Sequence, residues 1–123
     1  ELVAARHPHV ELCVTHELTP ELSELVARAE LAVFVDARHD RLDEGVLSEA
    51  LKPATTSPLS GHYSNPRSLL ALSQALYGRY APAWLVTLPA HDTGLGEGIS
   101  ECARRTVPAA LRRVDELISQ ALP

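Results

Sequence analysis

Cysteine is scarce in this chain: 123 residues hold two, Cys13 within an apolar run and Cys102 in a helix-like stretch. No second pair offers zinc-ligand spacing, and the composition is not that of a small disulfide scaffold, so both are expected to be buried free thiols. Long apolar runs are missing too. None approaches the roughly 20 residues that span a bilayer, and the opening residues lack the basic-then-apolar layout of a signal peptide. The expectation is a cytoplasmic protein with no membrane partner. Lysine and arginine form no cluster, and with a formal charge of -5 and a pI near 5.6 no phosphate-binding face is indicated, so nucleic acid is not an expected partner. Also missing are a Gly-x-Ser-x-Gly elbow, a His-Glu-x-x-His helix and any internal repeat.

What is present fits one globular domain over residues 1–123 with one core: 46% of residues are hydrophobic and 22% charged. Glu1 to Arg6 has helical composition without a cap and reads as the end of a helix. His9 to Val14 alternates Val10, Leu12 and Val14 with Glu11 and Cys13, the period of a strand. Thr19-Pro20 predicts a helix start, with Leu22, Leu25, Val26 and Ala29 on its apolar face. Leu31-Ala32-Val33-Phe34-Val35 is continuous and apolar, as expected of a central parallel strand covered on both faces and stopping at Asp36.

Ala37 to Gly45 is charged and loop-like, Val46 to Leu51 suits a short edge strand, and Lys52 to Gly61 is too rich in Pro and Ser for a regular element. Asn65-Pro66 repeats the cap-plus-proline signature. The helix it opens carries Leu69, Leu72 and Leu76 and ends at Gly78. Ala83 to Leu88 predicts a further strand. Ser100 is placed to cap a last helix bearing Val107, Leu111, Val114 and Ile118, which Pro108 should kink or restart. Strands alternating with helices in this order give the expectation of a three-layer αβα fold around a mostly parallel sheet.

In such a sheet, ligands sit beyond the carboxyl ends of the strands. Asp36, a carboxylate directly after five apolar residues, falls at that rim as a metal ligand or acid/base group, or as a turn cap or partner of Arg38 or Arg41. His62 lies in Ser60-Gly61-His62-Tyr63-Ser64-Asn65-Pro66, leading into a rigid helix start. It reaches Asp36 if the loop folds back, and is otherwise a solvated surface residue. His16 and Glu17, after the first strand, either line the same crevice or belong to a surface loop. Gly94-Leu95-Gly96-Glu97-Gly98 precedes a helix but lacks the dinucleotide spacing, and Glu97 repels phosphate, so Gly96 is expected in a close-packed turn beside the site.

Four blocks together resemble the hydrogenase maturation endopeptidases: His16-Glu17-Leu18-Thr19-Pro20-Glu21-Leu22; Val33-Phe34-Val35-Asp36-Ala37; Gly61 to Pro66 leading to Leu69-Leu70 and Leu76-Tyr77-Gly78; and Gly94 to Ser100. That family trims a C-terminal peptide from the large-subunit precursor of nickel-iron hydrogenases after nickel insertion. The resemblance implies a phosphorylase/hydrolase-like αβα fold, a hydrogenase precursor as partner, and nickel contributed by that substrate with no organic cofactor. It assigns two of the family's three metal-contacting side chains to Asp36 and His62. The third, an acid in a glycine-rich loop after the family's first strand, has no counterpart here, and Gly61 stands where the family usually has a small hydroxyl residue. The resemblance also implies that an opening strand and its loop are absent from this sequence.

Overall fold

The computed structural model describes residues 10–13, 18–55, 65–89 and 101–121. It is a mixed α/β structure with element order α1 (Leu22–Arg28), β1 (Ala32–Arg38), a 3-10 turn (Leu42–Glu44), β2 (Leu47–Leu51), α2 (Pro66–Tyr77), β3 (Ala83–Pro89) and α3 (Glu101–Ala121). The strands form one mixed sheet in the order β1-β3-β2. β1 and β3 run parallel, since the N–H of Ala32 bonds the carbonyl of Pro82 at one end and Arg38 reaches Thr87 at the other. In a mixed sheet of this order, β2 is then antiparallel to β3.

Contacts divide the chain into two compact units, one of residues 13–34 and 50–84 and one of 1–12, 35–49 and 85–123. In the first, α1 packs on α2. α2 is bounded as its sequence dictates. The Asn65 side chain accepts from the Ser68 N–H at 2.9 Å, Pro66 follows it, and Gly78 closes the helix at φ 74° with its N–H on the Gln74 carbonyl. That left-handed cap suits glycine, which has no Cβ to clash. Leu69 and Leu70 are fully buried, each worth about 1.5–3 kcal/mol of transfer free energy.

Leu76, expected on the same stripe, is 58% exposed, and Ser73 is buried in its place. In α1 the expected Val26 is buried and Leu22, Leu25 and Ala29 are half-buried, while Ser23 and Ala27 are buried beside them. Serines join the buried faces of both helices. The Ser73 hydroxyl donates to the Ser23 carbonyl at 2.8 Å, and the Ser23 hydroxyl donates to the Pro20 carbonyl at 2.7 Å. Small side chains that satisfy their own polar atoms allow close approach, so the contact runs along a serine ridge that apolar periodicity does not reveal. α1 also starts later than Thr19-Pro20 suggests: Pro20 and Glu21 form a turn, with the N–H groups of Leu22 and Ser23 on the carbonyls of Thr19 and Pro20.

In the second unit, α3 is continuous through Pro108 and begins at Glu101. Proline there costs one main-chain bond and does not restart the helix. Its buried face is Ala110, Val114, Leu117 and Ile118, while Val107 is 43% exposed. Arg113 donates from Nε to the Ser48 hydroxyl on β2 at 2.9 Å.

Several expectations fail at β1 and before it. Among the described residues the apolar run is not the central strand: β3 is central, and β1 lies at an edge. Nor does the strand stop at Asp36, since it continues to Arg38. Its continuous apolar composition suits cover on both faces, yet Val35 is 55% exposed. Val10 to Cys13, the described part of the expected first strand, belongs to no strand, and Leu12 is half exposed. Period-2 alternation supplies a face but not the neighbouring ladder that a strand requires. Cys13, correspondingly, is an exposed free thiol rather than a buried one. The expected edge position of β2 agrees with the sheet order. Among the described residues, no helix is long and apolar enough to cross a membrane.

Candidate functional site

Asp36 is the one candidate site residue within the described part of the chain; His16, Glu17, His62 and Gly96 lie outside it. Asp36 is the fifth residue of β1, and its two neighbours Val35 and Ala37 are exposed with it. Its Oδ1 accepts from the Ala37 N–H at 2.8 Å. One carboxylate oxygen is thereby occupied, and among the described residues no bond to the other is found. Neither Arg38 nor Arg41 forms an ion pair with it, so of the readings open for Asp36 the arginine pairing is not the one made.

Arg38, two residues on and therefore on the same side of the strand, has the opposite environment. It is 6% exposed. Its Nε donates to the Asp40 carbonyl at 2.9 Å, Nη1 to the carbonyl and hydroxyl of Thr87 at 3.3 and 3.0 Å, and Nη2 to the carbonyls of Arg41 and Gly45 at 2.9 and 2.6 Å. Those five bonds equal the number of N–H groups a guanidinium carries. The buried cation is held by carbonyl and hydroxyl dipoles, which offset its desolvation. It is thus a structural tie that closes the segment from residue 39 to residue 45 against the ends of β1 and β3.

The tied segment contains two positive-φ residues, Arg41 at 47° and Gly45 at 70°. Arg41 is costly there because its Cβ crowds the backbone. Its carbonyl is in use twice, by Arg38 Nη2 and by the Glu44 N–H at 3.1 Å. Its side chain reaches Asp40 and Glu44 at 3.7 Å each on an exposed surface, contacts worth little. Sequence reading treated Arg38 only as a partner for Asp36. The signal available was an arginine at the end of an apolar strand followed by a glycine-terminated loop, a pattern that does not distinguish a buried tie from a surface cation.

The approach to α2 is also ordered by an arginine. Arg67 donates from Nε to the Lys52 carbonyl at 3.1 Å, while its own carbonyl accepts from the Ala54 N–H at 3.0 Å. The start of the Lys52 to Gly61 tract is therefore fastened to the first turn of α2, the turn into which the His62 segment leads in sequence. Among the described residues, no group of three or more His, Cys, Asp or Glu side chains is gathered.

No protein-family model, no curated protein and no solved structure matches the chain.

Proposed function

We propose that the chain is a hydrogenase maturation endopeptidase acting in the cytoplasm on the nickel-loaded large-subunit precursor of a nickel-iron hydrogenase. Its fold in this reading is a three-layer αβα, phosphorylase/hydrolase-like arrangement around the parallel pair β1 and β3. Asp36 and His62 contact nickel that the substrate's own cysteines already hold. The observation that carries the proposal is the exposed Asp36 on the strand that supplies the Val33-Phe34-Val35-Asp36-Ala37 block of the resemblance, its Oδ1 tied to the Ala37 N–H.

A carboxylate oxygen and a neutral imidazole are suitable nickel donors, and a short ligand set leaves positions for the substrate's thiolates. The nickel then serves as the mark of a mature precursor and as a Lewis acid on the scissile carbonyl, with water as nucleophile. His16, Glu17 and Gly96 line the site, and the Lys52 to Gly61 tract shapes access from its anchored start at Arg67.

The test is cleavage of nickel-loaded hydrogenase precursor by wild type, Asp36→Ala and His62→Ala, with calorimetric titration of Ni²⁺ and Cd²⁺ alongside. Loss of about 10- to 100-fold or more in cleavage rate is expected for either variant, since loss of a residue that merely orients a metal ligand already costs about 10- to 100-fold. Unchanged cleavage by both removes the site. A second reading, a non-catalytic α/β metal-binding or interaction module, is favoured by the bond from the Ala37 N–H, which gives Asp36 a structural use without any metal. It predicts no cleavage by the wild type while Asp36→Ala still alters the protein's behaviour.

A further inference from the structure

Asp36 stands on a stretch of β1 that burial does little to hold. Three exposed residues, Val35, Asp36 and Ala37, follow one another, and among the residues of 35–44 whose burial is described Arg38 alone is buried. An exposed strand end opens locally at little free-energy cost. Arg38 is therefore the anchor of the stretch that carries the candidate carboxylate.

The anchor is tied on two sides. Nη1 reaches the carbonyl and hydroxyl of Thr87 on β3, while Nε and Nη2 hold the carbonyls of Asp40, Arg41 and Gly45. The held turn keeps Arg41 at φ 47°, a left-handed conformation that persists only where its surroundings over-determine it. On the chain before the anchor, the peptide plane between Asp36 and Ala37 sets where the Ala37 N–H points, and that N–H donates to Asp36 Oδ1 at 2.8 Å. The carboxylate takes its direction from this peptide, and the peptide takes its own from the anchored residue that follows Ala37.

We propose that Arg38 is a positioning residue for Asp36: its guanidinium fixes the end of β1 between Thr87 and the 39–45 turn, so that the Ala37 N–H holds the Asp36 carboxylate in one orientation. Arg38 has no donor left for a substrate and acts only through Asp36. What the oriented carboxylate does, contact nickel, rests on the maturation reading above; that Arg38 orients it does not. A ligand held in one direction by its neighbours binds metal more tightly than one that must be ordered first.

Nuclear magnetic resonance of the full chain without metal tests the orientation, through the χ1 coupling constants of Asp36 and amide exchange at Ala37, at a temperature where circular dichroism shows each variant folded. Arg38→Lys keeps the charge and loses the fork. It is expected to turn the Asp36 couplings from those of one rotamer to an average over several, and to speed Ala37 exchange by about five-fold, the worth of one hydrogen bond. Thr87→Val removes one acceptor and leaves the other four bonds, and should move both readouts the same way by less. Cleavage of nickel-loaded precursor supplies the second arm: Arg38→Lys should slow it by about ten-fold, and should slow it no further in an Asp36→Ala background, since a residue that acts through another has no effect once that other is gone. Unchanged couplings and exchange in folded Arg38→Lys overturn the proposal, as does Thr87→Val without effect on either where Arg38→Lys does not fold. Equal slowing by Arg38→Lys with and without Asp36 also overturns it, because the arginine then acts on the fold at large. Cleavage indifferent to Asp36→Ala sinks the maturation reading instead, and the metal-free couplings still decide whether Arg38 orients the carboxylate.

Discussion

The helix pair α1–α2 and the carboxyl end of β1 solve the same problem of polar groups near a core in opposite ways. Between the helices, Ser23 and Ser73 are buried, but each hydroxyl donates to a nearby carbonyl, and the surrounding contact is apolar. At the end of β1, one long cation collects five acceptors from three stretches of chain, and the exposed residues before it carry the candidate chemistry. The first arrangement spreads its stability over many small contacts. The second concentrates it in a single side chain, so damage there should be harder to repair by a chemically similar residue.

The largest effect is expected from the helix pair's apolar floor. Leu70 is fully buried, and Leu70→Ala should lower stability by about 2–5 kcal/mol in urea unfolding, through lost transfer free energy and the cavity left behind. Arg38→Ala should cost about 3 kcal/mol, because buried carbonyls lose a charged donor. The sharper comparison is Arg38→Lys. An ammonium offers three donors from one point and cannot span the carbonyls of residues 40, 41 and 45, so it should recover less than half of the loss. Recovery by lysine to the wild-type level would mean that charge alone, not the fork, holds the segment, and the contrast between the two regions would collapse.

A smaller effect is expected from Arg41→Gly. It removes a left-handed φ that a Cβ opposes, at the expense of exposed ion pairs and some chain entropy, and should raise stability by no more than about 1 kcal/mol. Loss of stability would show that the Arg41 side chain, not its carbonyl, holds the turn.

The smallest effect is electrostatic and lies at the start of α1. Glu21 has its carboxyl held below the ordinary value of 4.5 by a hydrogen bond from its own backbone N–H and a second from the Thr19 hydroxyl. A depressed folded-state value contributes stability above the unfolded value and loses it as pH falls through the folded one. Glu21→Gln should therefore remove a small stabilisation that is present above about pH 4.5, pH 7 included, and so flatten the acid limb of the stability curve below that pH. The group is fully exposed, so the change should be at the edge of detection by thermal unfolding.

Much of the fold was legible where a local rule decides the outcome. Asn65-Pro66 and Gly78 set the ends of α2 because capping groups act within a few residues. The strands at residues 83–89 and 47–51 followed from composition and turn signals. The sequence misled where the outcome depends on a neighbour. Alternation in Val10 to Cys13 describes a face but supplies no partner strand, and the apolar run of β1 has the composition of a covered strand while standing, among the described residues, at the edge of the sheet. Leu76 and Val107 keep helical spacing at the ends of their stripes, where the packing surface has already run out. Of the candidate site, Asp36 was visible as a carboxylate after five apolar residues, whereas its bond to Ala37 and the buried state of Arg38 were not.

The sequence by itself determined the local elements and their order, since hydrophobic period, proline and capping chemistry act over a turn or two of chain. Tertiary structure alone decided which strand is central, that Ser23 and Ser73 form the seam between two helices, and that Arg38 is buried while Asp36 is exposed. Those outcomes turn on which distant main-chain carbonyls come within about 3 Å of a donor, a matter of how the chain closes on itself rather than of what any short stretch prefers.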